Sequence, residues 1–399
     1  MSTFLGQIFE LPGISVDRFD GANLNSSVYF LSHCHTDHMK GLGNAFFDHL
    51  RKFDKYLYCS PISKAFLLGS YWGAVEDRIR VIEITIPKII NYVIRANDTM
   101  LNTSLIVTTS PAGHCPGSVM FVFSQNEKTI LYTGDFRVNP KDLPKLNPLN
   151  HKIDGKNYPI KFDAIYLDTT LLSSKFLRLP PRKNCCDQLC ESVQEWLRSD
   201  PKNVVILECS ALYGPEYLLM EISERLKIKI HVKDKVFLNY RCISEVAECV
   251  TNDPLSSRVH ACTPKMTRER LDCRDDVQRE NILTIVPSVL RWEGKCDVDK
   301  ILEYDPSINR RLYICYSMHA SYAELKAFID YFKPVKIVPC VCPDKSKNEI
   351  YKLLHELTNY EKMMTGDVGC CSSKLELPIK RTFKQSFSSK YFNDDDDDL

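Results

Sequence analysis

The sequence predicts an α/β protein with a β-rich first part, a second unit of alternating strands and helices, and a short closing part. Three observations predict it. Residues 14 to 135 read as short β-like runs separated by turns. From about residue 180 the apolar spacing alternates between the strand and the helix period, the pattern of mostly parallel strands joined by helices. His and Asp residues gather where the early strands end, and loops at strand ends can converge on one point.

Each element follows from its local pattern. Val28-Tyr29-Phe30-Leu31-Ser32 is an apolar strand, and Ile14 to Phe19 is β-like before it. Arg78 to Ile84, Ser118 to Phe123 and Thr129 to Thr133 are rich in β-branched and aromatic residues, hence strands. Residues 140 to 160 are rich in Pro, Asn and Lys and read as loop, and Phe162 to Asp168 is a buried strand. Cys185 to Leu197 carries Leu189, Val193, Trp196 and Leu197 on one helical side. Asn203 to Leu207 is a strand, Pro215 to Leu226 a helix and Ile228 to Val232 a strand. Residues 251 to 280 are polar and irregular; strands resume at Ile282 to Val286 and Leu312 to Tyr316. Ser321 followed by Glu324 has capping-box spacing and opens a helix to Phe332. Beyond about 360 the pattern dissolves into a basic stretch and the run Asp394 to Asp398, a flexible tail.

Bulk properties narrow the class. The chain has 399 residues, 44% apolar and 26% charged, a soluble globular composition long enough for two domains. Its formal charge is +1, so any affinity for nucleic acid must come from a local patch. No apolar run reaches the roughly 18 residues of a membrane span. The first residues have no basic start and no long apolar core, so a secretory signal is not expected and a cytosolic or nuclear location is. In such a reducing compartment the 17 cysteines are buried thiols and metal ligands rather than a disulfide scaffold.

The chemistry concentrates in His33-Cys34-His35-Thr36-Asp37-His38. Imidazoles and a carboxylate this dense, on a strand-to-helix turn, point in several directions at once, as two adjacent metals require. All are ligands that suit zinc. Two more segments complete the set. Pro111 to Ser118 places His114 on a Gly/Pro-rich turn, and Leu131 to Phe136 ends a strand at Asp135 beside a Gly. We expect His33, His35 and His114 to hold one zinc, Asp37 and His38 a second, and Asp135 to bridge them. Asp17 is expected to orient the ligands from behind.

The order of Asp17, the HxHxDH run, His114 and Asp135 resembles the metallo-β-lactamase fold. The resemblance implies an αββα sandwich and hydrolysis by metal-activated water. Fold alone leaves the substrate open. Asp168, in Leu167-Asp168-Thr169-Thr170, resembles the acidic residue that opens the β-CASP region of nucleic-acid nucleases. His319, in Tyr316 to Ser321, resembles that group's second motif, where a His contacts the scissile phosphate and protonates the leaving oxygen. The third motif, a His in RNA-processing members and a Val in DNA-processing members, falls in Ile337 to Cys342. Val341 fits the DNA pattern. The missing His removes a usual ligand of the second metal, which is then expected to be weak, or exchangeable with Mg or Mn.

Over about residues 1 to 360 the chain is most similar to the DNA-repair nucleases of the β-CASP group. That branch carries a structural zinc finger in the β-CASP region, and His231, His260, Cys262 and Cys273 supply a two-His, two-Cys set. The sequence also departs from the branch. Thr36 and Ser210 stand where a Lys is expected, and Arg291 is a candidate to compensate for the second. The short tail is not expected to supply that branch's long C-terminal regulatory region, so a DNA-dependent protein kinase and a ligase complex are partners it does not support.

The expectation is therefore a metallo-β-lactamase αββα sandwich with an inserted α/β β-CASP domain. The core would comprise residues 1–170 and 311–360, the insertion 171–310 and the tail 361–399. The resemblance implies a nuclear, zinc-dependent DNA nuclease, both a 5′-exonuclease and a structure-selective endonuclease. It would process ends, hairpins and overhangs for non-homologous end joining, with crosslink repair as a further role. Asp17, Asp37, His38, Asp135, Asp168 and His319 would carry catalysis, and Ser317 and Ser321 would bind phosphate oxygens. An RNA-processing nuclease and a non-enzymatic DNA-end scaffold are the competing readings.

Overall fold

The structure is a computed structural model and describes residues 2–71, 73–96, 99–209, 213–262, 271–295 and 300–358. The flexible tail predicted for 361–399 and the Ser210 departure lie outside the described residues.

The first sheet is four short parallel strands in the order β1 (Ile14–Val16), β2 (Val28–Leu31), β3 (Leu57–Cys59) and β4 (Ile79–Val81). Its strands alternate their faces, as a pleat requires. Val28 and Phe30 enter one core, and Tyr29 and Leu31 the other. Two helices, α1 (Asn44–Lys52) and α2 (Pro61–Ser70), cover the second face through Phe46, Phe47, Leu50 and Phe66. Helix α2 starts where Ser60 accepts from the Ser63 amide and Pro61 occupies the first turn.

A second sheet packs on the inner face of the first. It contains β5 (Lys88–Ala96), β6 (Thr99–Pro111), β7 (Val119–Gln125) and β8 (Lys128–Tyr132), all antiparallel neighbours. Phe121, Phe123, Ile130 and Tyr132 meet Val16, Val28 and Phe30 between the sheets. The segment read as loop, 140–160, holds 3-10 turns and a hairpin of β9 (Asn150–Ile153) and β10 (Lys156–Pro159). The Asp154-Gly155 turn, with φ of +49° and +79°, supplies the left-handed pair that such a hairpin needs. Next comes β11 (Ala164–Leu167), parallel to β8.

After β11 the chain enters a third sheet. Helix α3 (Arg182–Ser199), β12 (Val204–Leu207), α4 (Glu216–Leu226), β13 (Ile230–His231), α5 (Asp234–Tyr240), α6 (Ser244–Cys249), β14 (Val250–Thr251), β15 (Val259–His260), β16 (Ile282–Pro287), β17 (Leu302–Tyr304) and β18 (Arg311–Ile314) follow in sequence. The strand order is β14-β13-β15-β12-β16-β18-β17, parallel except at the β17 edge. Strand β18, expected from sequence to start the closing part, pairs with β16 in this third sheet, so the chain returns to the core only after Ile314.

The return is α7 (Tyr322–Phe332), β19 (Ile337–Pro339) beside β11, and α8 (Lys347–Thr358). The predicted capping box is present: Ser321 and Glu324 each bond the other's backbone at the start of α7. Leu325, Phe328, Ile350 and Leu354 cover the outer face of the second sheet through Met120, Val122, Leu131 and Ile165. Helices outside two facing sheets make an αββα sandwich, and the third sheet is an insertion into it. Among the described residues no helix is long and apolar enough to cross a membrane.

Candidate metal centre

Three loops at the ends of neighbouring strands bring the predicted ligands together. The run after β2 supplies His33, His35 and His38, the β6–β7 turn supplies His114, and the segment after β8 supplies Asp135. His33 Nε2 is 3.1 Å from His35 Nδ1, and His35 Nδ1 is 3.0 Å from His114 Nε2. An Asp135 oxygen closes the group, 3.8 Å from His33 Nε2 and 3.7 Å from His114 Nε2. Gly134 makes the approach feasible. Its φ is +55°, and a Cβ there would come within 2.9 Å of Ser32 Oγ.

The far nitrogen of each imidazole is held by an oxygen. Ser32 Oγ lies 2.9 Å from His33 Nδ1. His35 Nε2 donates to the Tyr213 carbonyl at 2.7 Å, and His114 Nδ1 to the Met318 carbonyl at 3.0 Å. A carbonyl only accepts, so each of these two rings carries its proton there and turns a lone pair toward the cluster. Burial keeps His33, His35 and His114 neutral, with pKa values below the usual histidine range, and neighbouring imidazoles reinforce this at His33. Neutral, lone-pair-bearing imidazoles are the form that binds metal.

His38 sits behind this group. Its Nδ1 donates to Asp17 at 2.8 Å, while Nε2 lies 3.2 Å from Asp135 Oδ1 and 3.8 Å from Asp37 Oδ2. Although 3.2 Å is short enough for a hydrogen bond, the alignment is not that of one, and Nε2 remains a buried polar atom without a partner. Burial opposes charge on His38, but Asp135 and Asp17 together hold its pKa well above the usual value. At Asp135 burial likewise opposes charge, and His38 and His319 outweigh it to hold the carboxyl well below its usual range.

Asp17 is fully engaged. It accepts from the Ser32 amide at 2.7 Å, Ser32 Oγ at 2.5 Å and Tyr132 OH at 2.9 Å, besides His38. Such a carboxylate orients a ligand rather than acting as one. Asp37 is less closely gathered: its Oδ2 accepts from the Ser2 amide at 2.9 Å.

His319 flanks the cluster on the other side. Its Nδ1 is 2.9 Å from Asp168 Oδ2, and its Nε2 is 4.0 Å from Asp135. Asp168 is fixed in turn by the Thr170 amide at 2.9 Å and Thr170 Oγ1 at 2.6 Å. Burial opposes charge on His319, and Asp168 and Asp135 outweigh it, so its pKa is raised. Ser317 and Ser321, expected on phosphate, are buried and committed within their own loop. Ser317 Oγ is bonded to the His319 backbone, and Ser321 caps α7. Val341 is also buried, and its amide donates to Thr169 Oγ1 at 3.1 Å. Arg291, the candidate compensating cation, is paired with Glu303 at 3.2 Å and lies over Tyr313.

Sequence reading missed the groups that hold the ligands from outside. The Tyr213 and Met318 carbonyls belong to residues whose side chains give no hint of this role. Arg182, buried at the start of α3, donates to the carbonyls of Gly113 at 2.8 Å and Ser317 at 3.2 Å. It thereby ties the His114 loop to the His319 loop. Only its place beside Pro180-Pro181, at the entrance to the insertion, set it apart in the sequence.

A second donor cluster lies in the third sheet. His231 Nδ1 and His260 Nδ1 are 3.1 Å apart, and Cys262 Sγ and Cys273 Sγ 3.5 Å. Cys273 Sγ is 3.6 Å from His231 Nδ1 and 3.4 Å from His260 Nδ1. No disulfide joins the two cysteines. The parallel pairing of β13 and β15 places the two histidines side by side.

Known proteins resemble the chain along most of its length. Residues 244–345 match the family model described as DNA repair metallo-beta-lactamase. The chain is 34% identical to protein artemis of Rattus norvegicus across 100% of its own length and 56% of that protein's. With protein artemis of Homo sapiens it shares 38% identity over 86% of this chain and 50% of the relative. DNA cross-link repair 1A protein of Homo sapiens is 28% identical over 82% of this chain and 29% of its own length. The chain thus spans little more than half the length of these Artemis proteins. In its fold, in the order of these motifs and in sequence along most of its length, the chain is similar to the Artemis proteins, and residues 244–345 carry the pattern of the DNA-repair metallo-β-lactamase family.

Proposed function

We propose that the protein is a zinc-dependent DNA nuclease acting on ends, hairpins and overhangs, in the cleft between the αββα core and the insertion. The observation that carries the reading is the packed group of His33, His35, His114 and Asp135 with His319 at its edge. Around an ion with zinc's bond lengths, tetrahedral neighbours stand about 3.3 Å apart for two nitrogens, 3.6 Å for nitrogen and sulfur and 3.8 Å for two sulfurs. The core cluster's spacings of 3.0 to 3.8 Å match this, and so do the 3.1 to 3.6 Å spacings of His231, His260, Cys262 and Cys273. The unpartnered Nε2 of His38 supports a second ion, shared with Asp135 and Asp37. That site has fewer gathered donors and is the more exchangeable.

Metal held there would supply an activated water and neutralise charge developing on the phosphate. The chain's own residues do the rest. Asp17 keeps His38 turned toward Asp135. Asp168 accepts from His319 Nδ1, which leaves Nε2 to carry the second proton of a charged ring. That proton serves a phosphate oxygen and then the departing 3′ oxygen. The products are a 5′-phosphate and a 3′-hydroxyl. Polymer affinity would come from phosphate contacts and fall steeply with salt. The assignment to end joining, the further role in crosslink repair and the nuclear location rest on the likeness to DNA-repair relatives.

The test is purified protein on labelled hairpin and 5′-overhang DNA beside the matched RNA. Cleavage of DNA that disappears in the Asp37→Asn, His38→Ala double variant is expected. Faster cleavage of the RNA would make it an RNA-processing enzyme. Tight DNA-end binding with no metal-dependent turnover would make it a scaffold.

A further inference from the structure

Glu216 stands out among the groups the proposed mechanism does not use. It opens α4 in the insertion, is fully buried, and has Tyr217, Leu218 and Leu219 of the main core after it. A carboxylate is a costly residue in such a place unless both oxygens are bonded. Here they are. Oε2 accepts from the Gly214 amide at 2.6 Å, and Oε1 from Tyr240 OH at 2.7 Å.

The Gly214 amide belongs to the peptide whose carbonyl is that of Tyr213, and this carbonyl receives the His35 Nε2 proton at 2.7 Å. We propose that Glu216 is a positioning residue for the metal centre: it locks the Tyr213–Gly214 peptide so that the Tyr213 carbonyl fixes the proton and orientation of His35. The proposal rests on the reading of His35 as a metal ligand.

Three further contacts suit the peptide to this task. The Tyr213 ring stacks on Phe66 of α2 at 4.1 Å with 6° between the planes, and its OH accepts from Asn239 at 2.7 Å. The side chain is thus pinned, and the peptide plane is the remaining freedom. Gly214 has φ of +132°, and a Cβ there would lie 2.5 Å from Met318 Sδ. The Met318 thioether is the end of a flexible side chain, so it is the φ that favours glycine here, and glycine alone would let the peptide rotate. The Met318 carbonyl holds His114, so the same turn abuts the supports of two ligands.

The test compares wild type with Glu216→Met, which keeps volume and removes both acceptors, and Glu216→Gln, which can still accept from Gly214 and donate to Tyr240. Cobalt-substituted protein is challenged with excess chelator. The thiolate absorption of the Cys262–Cys273 site is an internal control for a folded insertion. Loss of metal from the His33–His35–His114 site should be 10–100-fold faster in Glu216→Met, and within about threefold of wild type in Glu216→Gln. The thiolate band should be unchanged in both. Wild-type release from a folded Glu216→Met would overturn the proposal. If that variant does not fold, Tyr240→Phe, which frees one carboxylate oxygen, should release metal several-fold faster, and wild-type release there would be equally fatal. The readout is metal alone, so a wild type that holds metal but cuts no DNA would sink the nuclease reading and leave this comparison intact.

Discussion

Replacing Glu216 by Gln should change how stability depends on pH, by an amount that follows from the structure. Burial pushes the Glu216 carboxyl up to about 7 from an ordinary value of 4.5, against the opposing pull of its hydrogen bonds to Tyr240 and Gly214. In the unfolded chain the group loses its proton near its ordinary pKa, while the folded state keeps it until about pH 7. Between those values the folded state binds more protons, so stability falls as pH rises. Between pH 5.5 and 8 the linkage relation gives a loss of about 2 kcal/mol for wild type, which the uncharged Gln side chain does not suffer. The assay is urea unfolding of both proteins at matched pH and metal concentration. Other titrating groups are common to both and cancel in the difference. The stability of Glu216→Gln minus that of wild type should therefore rise by about 2 kcal/mol across this range. A difference that stays flat, or falls with pH, would refute the claim that this buried carboxylate takes up its proton within the physiological range.

Three other outcomes are expected. Cys273→Ala should lower the metal content by one ion per chain and reduce the melting temperature, as metal analysis and calorimetry will read, because binding at a site absent from the unfolded chain stabilises the fold directly. Asp17→Asn leaves one amide oxygen where the carboxylate accepted from Ser32, Tyr132 and His38, and should destabilise the protein by about 2–4 kcal/mol in denaturant titration. In Asp168→Asn, His319 loses the carboxylate that raises its pKa, so the alkaline fall in cleavage rate should move to lower pH. An unshifted profile would separate His319 from proton transfer.

The sequence made the ligands legible because metal chemistry limits residue type and strand ends limit their place. His33, His35, His114 and Asp135 needed no knowledge of the fold to be grouped, and the capping box of Ser321 and Glu324 was plain from spacing alone. The supports were not legible, since they are made by main-chain groups. Nothing in the side chain of Tyr213 or Met318 says that its carbonyl will meet a histidine more than 170 residues away. The β9–β10 hairpin was hidden by Lys and Asn, which are poor strand formers, although Asp154-Gly155 is a hairpin turn signal. The pairing of β18 with β16 was not legible either, because a short apolar run states that it is buried, not which neighbour covers it.

The closing strand β19 carries a consequence for biosynthesis. It pairs with β11, and residues 340 and 342 bond Thr3 near the start of the chain. About 170 residues separate Leu167 from Ile337, an interval on the order of ten to thirty seconds at 5–20 residues per second on the ribosome. Throughout it the outer face of the second sheet, with Met120, Val122, Leu131 and Ile165, waits without the helices that cover it. The nascent chain therefore exposes an apolar sheet while the insertion is still being made. A chaperone's hold on a ribosome-bound intermediate should be strongest before α7 emerges and weaken once α8 has cleared the exit tunnel.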